Sequence, residues 1–504
     1  MPQNSLLFSY SPATGETVGS VPLTELRDIP MMLDKARSAQ ERWGAYPLPE
    51  RLKILATLRT LLLVEEKSIA QLVSLETGKP YPEALAVELV PSLDMIRFLL
   101  RDAKSVWGPE HLRLGWFIHK RSVLEHRPLG VVGIISPWNY PFGIPFTQVA
   151  AALMAGNAVL LKPSELTQLC AVRLADIFRR ARLDTDLLQL VQGDGSRGAA
   201  LISSGMDKIV FTGSIATGKK VMAAAAGRLT PVTLELGGKD PMLVLQDAYL
   251  DRAANGAVWG AFTNAGQVCA SVERCYVERP VADEFIAKVD AKTRLLRQGS
   301  PLERSPGGTH VPNQVDIGPL IQATQVQKVQ AQVDDAVRRG GKILCGGQPR
   351  TDLPGYFYPP TVLLNVPPEA DVMQEETFGP LLPITVVDSA EEGITLANQS
   401  RYALSASVWS QNRVLARQVA GRLEAGTVWI NDVIYTYGLA STPWGGFKES
   451  GIGRSHSRYG LQDFTQIKHR NESYYPVATE LQWYPYTPQR LLWLERLLNF
   501  LYRR

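Results

Sequence analysis

Apolar and polar residues follow two different spacings along the chain. Between residues 28 and 106, Leu55, Leu58 and Leu62 recur at helical spacing, and this pattern predicts a mostly helical segment. Residues 111–126 mix apolar and polar positions, which predicts an extended ribbon. The apolar positions of this ribbon are Trp116, Phe117, Ile118, Val123 and Leu124.

Short apolar runs alternate with helical patterns from residue 130 onward. The runs are residues 130–136, 158–163, 187–191 and 208–213; the helical patterns are residues 143–155, 167–181 and 196–204 and a helix that starts at Ser214. Strands that alternate with helices predict a parallel sheet with crossover helices. Ligands bind beyond the carboxyl ends of such strands. We therefore expect binding residues at Pro137–Asn139, Lys162–Glu165 and Thr212–Ser214.

A second α/β pattern follows Glu235. Its helical patterns cover residues 280–297 and 323–339, and its strand candidates lie near residues 384–388 and 427–431. The segment 299–318 contains several Pro and Gly residues and is predicted to be a loop.

Composition narrows the class of protein. The 504 residues suggest about three domains, and 45% apolar with 20% charged residues is ordinary for globular proteins. Four Cys are too few for a disulfide scaffold and fit a reducing, cytoplasmic compartment. The 53 basic and 49 acidic residues nearly balance, so composition gives no case for nucleic-acid binding. The first ten residues show no secretory pattern, and no uninterrupted apolar stretch predicts a spanning helix.

Three polar side chains are candidates for catalysis, each with a structural alternative. Cys269 lies at a Gly-bounded break after an apolar helix, where a thiol acts as a nucleophile or packs as a small apolar residue. Glu235 lies between Leu234 and Leu236, where burial would raise its pKa toward that of a general base, unless it faces water from an edge strand. Asn139 follows a strand between two prolines, and its amide either stabilises an oxyanion or serves as a turn residue.

Two glycine-containing segments are candidates for phosphate binding. Residues 193–198 form a literal GxGxxG, through Gly193, Gly195 and Gly198. No acidic residue ends a following strand at the distance that dinucleotide binding requires, so we interpret this segment as a chance match. The segment FTGSIATG is the better candidate, because Gly213 and Ser214 turn a strand into a helix whose N-terminal amides can bind a pyrophosphate. Further along this segment, a glycine at position 218 permits close helix packing.

Lys162 and Glu165 end an earlier strand of the predicted sheet. A glutamate at such a position can hydrogen-bond ribose hydroxyls and would repel a 2′-phosphate, which predicts NAD rather than NADP. No His and Cys cluster with ligand spacing predicts a metal site.

These motifs occur in an order that resembles the aldehyde dehydrogenase superfamily over about residues 5–470. The motifs are SPWNYPF, LLKPSE, FTGS, LELGGKDP, GQVC, EETFGP and PWGGFKESGIGR. The resemblance implies an α/β fold with a Rossmann-type cofactor domain, an α/β catalytic domain and a β-ribbon oligomerisation arm. The implied boundaries are residues 1–110 and 128–236 for the cofactor domain, 237–455 for the catalytic domain, 111–127 and 456–480 for the arm, and 481–504 for an amphipathic C-terminal tail.

The resemblance also implies a role for each candidate residue. Cys269 is the implied nucleophile, Glu235 the general base and Asn139 the oxyanion donor. The implied cofactor contacts are Trp138, Lys162, Glu165, Gly213, Ser214, Gly218, Glu376 and Phe378. The implied reaction oxidises an aldehyde substrate to an acid through a thiohemiacetal and a thioester, with NAD as hydride acceptor and no metal. The implied assembly is a homodimer or a homotetramer.

The substrate is the least determined part of this prediction. Candidates for the substrate pocket are Phe142, Gln148, Val268, Ala270 and the stretch Tyr435–Tyr437, which favour an apolar aldehyde, long-chain or aromatic. No Arg pair is placed for a dicarboxylate semialdehyde, and a semialdehyde dehydrogenase of the same mechanism is the alternative. A catalytically silent structural relative is disfavoured by the joint presence of the three catalytic residues, and acyl transfer to coenzyme A is disfavoured by Glu235. An apparent insertion between residues 299 and 316 lines an entrance or, as we favour, decorates the surface.

The tail, residues 481–504, combines basic and apolar character. Leu491, Leu494, Leu498 and Leu501 recur at helical spacing, which predicts an amphipathic helix. The tail carries four Arg and one Glu, so much of the chain's net charge of +4 is concentrated there. The helix could pack on this subunit or a neighbour, cap the substrate entrance, or lie at a membrane surface as a peripheral anchor of a cytoplasmic enzyme.

Overall fold

The structure, a computed structural model, describes residues 6–115, 117, 119–305, 308–475 and 478–503. It divides into two compact units. The first comprises the residues up to Val106 together with Pro128–Gln466, and the second comprises Trp107–Arg127 and the residues from Ile467 onward. Trp116 and Ile118 of the predicted ribbon lie outside the described residues.

The N-terminal part of the first unit is mostly helical, as predicted. A hairpin of β1 (Leu6–Tyr10) and β2 (Thr17–Pro22) precedes the helices. The helices are α1 (Ile29–Ala45), α2 (Leu48–Leu52), α3 (Ile54–Val64), α4 (Glu66–Thr77), α5 (Tyr81–Ala84) and α6 (Val90–Trp107). Leu55, Leu58 and Leu62 are fully buried, because their spacing places them on one face of α3.

The predicted ribbon forms in the second unit. It consists of β3 (Glu110–Leu112) and β4 (Lys120–Pro128), which pair antiparallel with Glu110 opposite Leu124. Val123 is buried while Leu124 is half-buried, in keeping with the alternation of side chains along a strand.

The strand and helix alternation after residue 130 builds a parallel sheet. Its elements are β5 (Val131–Ile135), α7 (Gly143–Met154), β6 (Ala158–Lys162), α8 (Gln168–Arg180), β7 (Leu188–Leu190), α9 (Gly195–Ser203), β8 (Lys208–Thr212), α10 (Ile215–Ala226) and β9 (Val232–Glu235). These strands lie in the order β9-β8-β5-β6-β7, and every neighbouring pair is parallel. All residues of β5, β6 and β8 are buried, because helices cover both faces of such a sheet.

A second, seven-stranded sheet follows. Its elements and the segments between them are β10 (Asp240–Val244), α11 (Leu250–Phe262), β11 (Val272–Glu278), α12 (Ala282–Arg294), β12 (Leu302–Arg304), β13 (His310–Pro312), α13 (Ala323–Arg338), β14 (Lys342–Cys345), β15 (Thr361–Leu364), α14 (Asp371–Gln374), β16 (Leu381–Val387), α15 (Ala390–Asn398), β17 (Ser405–Trp409), α16 (Arg413–Ala420) and β18 (Thr427–Ile430). The strand order is β14-β15-β16-β11-β10-β17-β18. The chain then returns to the first sheet, where β19 (Gly451–Ile452) pairs antiparallel with β9 before α17 (Ser457–Gln462).

The prediction of a loop at residues 299–318 is wrong in part. Strands β12 and β13 form an antiparallel hairpin within it, with Leu302 opposite Pro312. Pro and Gly cluster near the turn, where Gly308 has a φ of +79°, and the flanking residues remain free to pair. No described residue of this segment lines the cavity that contains Cys269, so the alternative of an entrance lining is not supported.

The second unit ends in a helix whose side chains are largely exposed. Strand β20 (Thr465–Ser473) extends the ribbon into a three-stranded sheet in the order β20-β4-β3, and α18 (Pro488–Tyr502) follows. The helix begins where the Thr487 hydroxyl accepts a hydrogen bond from the amide of Arg490. None of its residues is buried. Within the described part of the chain, no helix combines the length and apolar character needed to cross a bilayer.

Candidate active site

Eight of the eleven predicted site residues line one cavity of about 210 Å³. It opens at the carboxyl ends of β5, β8 and β9, where a parallel sheet is expected to bind ligands. The eight residues are Trp138, Asn139, Gly213, Ser214, Glu235, Cys269, Glu376 and Phe378. Lys162, Glu165 and Gly218 are not among the lining residues.

Cys269 is placed by an unusual backbone turn after α11. Asn264, Ala265 and Gly266 have φ values of +51°, +55° and +74°, and Gly266 is irreplaceable because a Cβ there would meet the Gly379 carbonyl oxygen at 2.2 Å. Burial, followed by the nearby Glu235 carboxylate, raises the pKa of the Cys269 thiol well above its ordinary value. The resting side chain is therefore a thiol, and a base must remove its proton before it can attack.

Glu235 ends β9 inside the sheet, between β8 and β19. Its side chain is 4% exposed, which overturns the alternative of an edge-strand carboxylate that faces water. Burial raises the pKa of Glu235 to about 7, and the nearby Ser455 hydroxyl partly opposes this shift. Such a carboxyl group exchanges protons at neutral pH, as a general base requires.

Asn139 lies in the turn that follows β5 and is buried. Its Nδ2 donates to the carbonyl oxygen of Gln267 at 3.1 Å, two residues before Cys269, and this leaves a second N–H on the same amide. The backbone carbonyl oxygen of Asn139 accepts a hydrogen bond from Lys79 Nζ at 2.9 Å and from Asn264 Nδ2 at 3.3 Å. The residue is thus held through both its side chain and its backbone.

A buried ion pair supports this turn and was not found by sequence reasoning. Lys79 Nζ lies 2.6 Å from Glu88 Oε1, and both side chains are fully buried. Glu88 Oε2 accepts the backbone N–H groups of Phe142 at 3.1 Å and Gly143 at 2.6 Å, at the start of α7. Lys79 Nζ also lies 3.9 Å from the ring centre of Tyr140. Together these contacts hold the turn from Asn139 to the helix.

A second buried pair holds the loop of Glu376 and Phe378. Lys239 Nζ lies 2.6 Å from Glu273 Oε2, and the Glu273 carboxylate accepts the backbone N–H groups of Thr377 at 2.8 Å and Phe378 at 2.9 Å. Phe378 adopts a φ of +56° under this constraint. The ring of Trp138 meets the Phe378 ring edge-on, at 5.4 Å between centroids.

Glu376 is held close to the glycines that follow β9. Its Oε1 accepts the backbone N–H of Gly238 at 3.2 Å. Burial raises the pKa of Glu376 to about 7. A Cβ at Gly237 would meet Glu376 Oε1 at 2.4 Å, so a larger residue there would displace this carboxylate.

Ser214 lies at the turn from β8 into α10, at the N-terminus of that helix, where the sequence predicts a strand-to-helix turn. The Ser214 hydroxyl accepts the Thr217 N–H at 3.3 Å and so begins the helix. A Cβ at Gly218 would meet Leu236 Cδ2 at 2.6 Å, which confirms that a glycine here permits close helix packing. Residues 193–198, the literal GxGxxG, begin α9 after the edge strand β7 and do not line the cavity.

Lys162 and Glu165 lie at the end of β6, next to β5. Lys162 Nζ is 3.1 Å from Glu165 Oε2, and the Glu165 side chain is 45% exposed while that of Lys162 is 6% exposed. The glutamate therefore presents its carboxylate to solvent, where a ligand bound beyond the strand ends would meet it.

Sequence reasoning placed the substrate pocket only in part. Tyr437 lines the cavity as expected, whereas Phe142 and Gln148 do not: Phe142 stacks on Phe146 in the core, and Gln148 faces a second, smaller cavity. Val268 and Ala270 are buried in the cluster behind the nucleophile. The lining residues that were missed include Ile144, Gln325, Lys328 and Trp444. Gln325 and Lys328 lie on one face of α13, a pattern that resembles any solvent-exposed helix.

Comparisons with known proteins show which family this chain resembles. Residues 2–470 match the model of the Aldehyde dehydrogenase family. A protein of Methylomonas named 4,4'-diapolycopene aldehyde oxidase is 39% identical over 98% of this chain and 91% of its own length. A protein of Mycolicibacterium smegmatis provisionally named an NADP-dependent succinate-semialdehyde dehydrogenase is 37% identical over 90% of this chain and 86% of its own length.

Solved structures give the same result. The NAD-dependent aldehyde dehydrogenase from Sinorhizobium meliloti superposes with a TM-score of 0.89 at 33% identity, over 95% of this chain and 93% of that one. The chain has the aldehyde dehydrogenase fold, and it belongs to the aldehyde dehydrogenase family.

Proposed function

We propose that this protein oxidises an apolar aldehyde to the carboxylic acid with NAD as hydride acceptor. The observation that carries the proposal is the meeting of Cys269, Glu235 and Asn139 in one cavity. A nucleophile, a carboxyl group with a pKa near neutrality and an amide donor are the groups that acyl-enzyme chemistry needs.

In this proposal each of the three residues acts at a definite point. Glu235 removes the proton of the Cys269 thiol, and the thiolate attacks the aldehyde carbon. The free N–H of Asn139 Nδ2 stabilises the oxyanion, which is worth about 3–4 kcal/mol for one such donor. After oxidation to the thioester, Glu235 first releases the thiol proton to solvent and then takes a proton from water. The oxygen of that water bonds to the thioester carbon, and the acid and the thiolate are released.

The residues around the cavity fit a nicotinamide dinucleotide. Gly213 and Ser214, at the start of α10, would hold its pyrophosphate, and Glu376 would hold the ribose next to the nicotinamide. Trp138, Phe378 and Gly218 would shape the cofactor site. The bound cofactor supplies the acceptor for the aldehyde hydride. The cavity lining also includes Gln325 and Lys328, which we add to the proposed cofactor contacts.

The exposed carboxylate of Glu165 supports NAD over NADP, because it would meet the adenosine ribose and repel a 2′-phosphate. The relative from Mycolicibacterium has NADP in its name, so the preference of this chain for NAD requires a kinetic test. We expect a higher kcat/KM with NAD, and we expect Glu165→Gln to raise kcat/KM for NADP. A higher kcat/KM with NADP in the unaltered enzyme would contradict this role of Glu165.

The cavity wall supports an apolar substrate. Ile144, Tyr437 and Trp444 line it on the side of the nucleophile, and Trp429 stacks behind Trp444 at 6.2 Å. The Methylomonas relative is named 4,4'-diapolycopene aldehyde oxidase. A series of aldehydes of increasing chain length, with succinic semialdehyde included, would test this choice. We expect kcat/KM to rise with chain length. A maximum at succinic semialdehyde would favour the semialdehyde alternative.

The tail supports a location at a lipid surface. Its apolar side chains Leu491, Trp493, Leu498 and Phe500 are exposed, and the arginines of the same segment would attract anionic headgroups. We expect the full chain to bind vesicles that contain anionic lipid, and a chain that ends at Glu480 not to bind. Equal vesicle binding by both chains would exclude the tail as the anchor, and a lower oligomeric state of the shortened chain would instead indicate that the helix packs on a neighbour.

The remaining features concern assembly and compartment. Strand β20 is an edge of the described sheet in the second unit, and its residues 466–473 are exposed, so a second copy could pair with the outer side of this strand. We infer a homodimer or homotetramer built through this edge, in a reducing, cytoplasmic compartment that keeps Cys269 a thiol. Sedimentation of the full chain tests the assembly.

A further inference from the structure

A second cavity lies next to the strand that ends at Glu235. It has a volume of about 20 Å³, enough for a single water molecule. Its wall includes Gln148 from α7, Thr233 from β9, and Ser455 and His456 from the segment before α17. Thr233 is two residues before Glu235 in the same strand, so the cavity lies close to the proposed general base.

Several buried polar atoms around this cavity have no protein partner. Among the described residues, Gln148 Oε1, Ser455 Oγ and His456 Nδ1 make no hydrogen bond, and neither does Glu235 Oε1 in the neighbouring cavity. Leaving one buried polar group unsatisfied costs about 1–3 kcal/mol, so three such atoms at this cavity and a fourth in the neighbouring one indicate a hydrated site. Gln148 and His456 are each 4% exposed, so bulk solvent does not satisfy them.

This hydrated site is connected to the proposed base. The Ser455 hydroxyl is close enough to Glu235 to lower its pKa, although the two groups do not meet in a direct hydrogen bond. Gln148 Nε2 donates to the Thr212 hydroxyl at 3.2 Å, and Thr212 lies opposite Glu235 in the β8–β9 pair. A water molecule between Ser455 and Glu235 would complete the connection.

The same site is connected to the protein surface. The Thr233 hydroxyl donates to Asp463 Oδ2 at 3.1 Å, and its lone pairs remain available to accept from water in the cavity. The Asp463 side chain is 44% exposed, and its only ion-pair partner in the described structure is Lys208, at 3.6 Å. Polar groups thus extend from a base that is shielded from solvent to a carboxylate that is not.

We propose that Ser455, Gln148, His456, Thr233 and Asp463, with water in the cavity, form the path by which protons leave Glu235. The proposal rests on the proposed function, in which Glu235 is the general base. It assigns positioning and relay roles to residues that lie outside the cavity containing Cys269.

The proton balance of each hydrolysis requires such a path. An O–H bond of the attacking water breaks, the proton moves to Glu235, the oxygen bonds to the thioester carbon, and the C–S bond breaks to release the Cys269 thiolate. Because Glu235 has already taken the proton of the Cys269 thiol, it must release that proton to solvent before it can accept the proton of water, and it must lose the second proton before the next hydrolysis. Each transfer along the path breaks one O–H bond and forms another, and the proton reaches solvent at Asp463 with no change of oxidation state.

His456 is suited to this path because it does not trap the proton. Burial lowers the pKa of His456 to about 4, although Asp94 opposes the shift, so the ring is neutral at physiological pH. A neutral ring offers an acceptor nitrogen that orders water without holding a charge.

The test removes one hydroxyl from the path. Thr233→Val keeps the shape of the side chain, Thr233→Ser keeps the hydroxyl, and Thr385→Val is the matched control. Thr385 also lies on a strand and its hydroxyl has no hydrogen-bond partner in the described structure, but it belongs to β16 of the other sheet. The readouts are the rate of the first NADH formed per site, the decay of the acyl-enzyme, and the solvent deuterium isotope effect on that decay.

We expect Thr233→Val to slow acyl-enzyme decay about tenfold, less than the hundredfold or more that follows loss of a general base, and to raise the isotope effect. The first NADH should form at the unaltered rate, Thr233→Ser should restore decay, and Thr385→Val should change nothing. Unchanged decay in Thr233→Val overturns the proposal. Equal slowing by Thr233→Val and Thr233→Ser also overturns it, because this result would show a packing role.

A second pair of variants tests the surface end of the path. Asp463→Asn should slow acyl-enzyme decay, and imidazole buffer should restore it by accepting the proton directly. Asp184→Asn is the control, because Asp184 is 45% exposed and likewise forms one ion pair, with Arg42. Failure of Asp463→Asn to slow decay would overturn the proposal. Glu235→Gln distinguishes a failure of the proposed path from a failure of the proposed function. If this variant leaves acyl-enzyme decay unchanged, Glu235 is not the general base.

Discussion

The buried ion pair between Lys79 and Glu88 gives the sharpest prediction about how the Asn139 turn is held. Replacing Lys79 with Met keeps most of the side-chain volume but removes the charge. It breaks the 2.6 Å contact to Glu88 and the 2.9 Å hydrogen bond to the Asn139 carbonyl oxygen. Both side chains of the pair are 0% exposed, so the Glu88 carboxylate would be left buried without its cation.

Breaking such a pair costs about 3–5 kcal/mol. The matched control is Lys53→Met, because Lys53 Nζ lies at the same 2.6 Å from Glu50, but with side chains 71% and 51% exposed. An exposed pair contributes about 0–1 kcal/mol. The losses in free energy of unfolding caused by Lys79→Met and Lys53→Met should therefore differ by several kcal/mol, because the first pair is buried and the second is exposed.

The assay is urea unfolding of the single variants and of Lys79→Met combined with Glu88→Gln. In the double variant no charge is left uncompensated, so it should cost less than the sum of the two single changes. Activity gives a second readout: because Lys79 positions Asn139, Lys79→Met should slow the first hydride transfer by up to about a hundredfold. The reasoning would be refuted if the double variant lost as much stability as the two single variants together. It would also be refuted if Lys79→Met lost no more stability than Lys53→Met.

Two further predictions concern the base and the cofactor turn. Burial raises the pKa of Glu235 to about 7. The rate of acyl-enzyme decay should therefore fall about tenfold per pH unit below pH 7, where the carboxyl is protonated, and should level off above pH 8. A decay rate that is constant from pH 5 to 8 would contradict this prediction. Gly218→Ala places a Cβ 2.6 Å from Leu236, so it should lower the free energy of unfolding by about 1–3 kcal/mol and weaken NAD binding. The control is Gly227→Ala, which should leave thermal unfolding unchanged because its Cβ would have no atom within 4 Å. Equal stability of the two variants would show that the helix can shift.

The parallel sheet was predictable because its strands are buried on both faces. A strand such as β5 or β8 is therefore a continuous apolar run, and the helices between the strands show a clear change of period. The candidate site was predictable for the same reason, since Asn139, Glu235 and the Gly213–Ser214 turn follow strand ends. Their presence in one cavity confirms their proximity, while their roles stay predictions.

The residues that hold the site could not be read from the chain. Lys79 and Glu88 lie in an N-terminal helical region, and nothing in the spacing of that region shows that they reach the turn after β5. Gln148 illustrates the opposite error: it lies in the right helix, but its side chain faces the cavity next to Glu235 rather than the substrate. The hairpin of β12 and β13 was missed because its strands have only three residues each.

The central claim is that Cys269 carries the acyl group and Glu235 hydrolyses it. Rapid mixing of Glu235→Gln with NAD and an apolar aldehyde measures this most directly, with intact-protein mass spectrometry of the same sample. We predict at most one NADH per active site, formed more slowly than in the unaltered enzyme because Glu235 also deprotonates the Cys269 thiol, together with an acyl adduct on Cys269 and a steady-state rate lower by about 10²–10⁴-fold. Full turnover without an adduct would contradict the account, and so would an adduct that persists in Cys269→Ala.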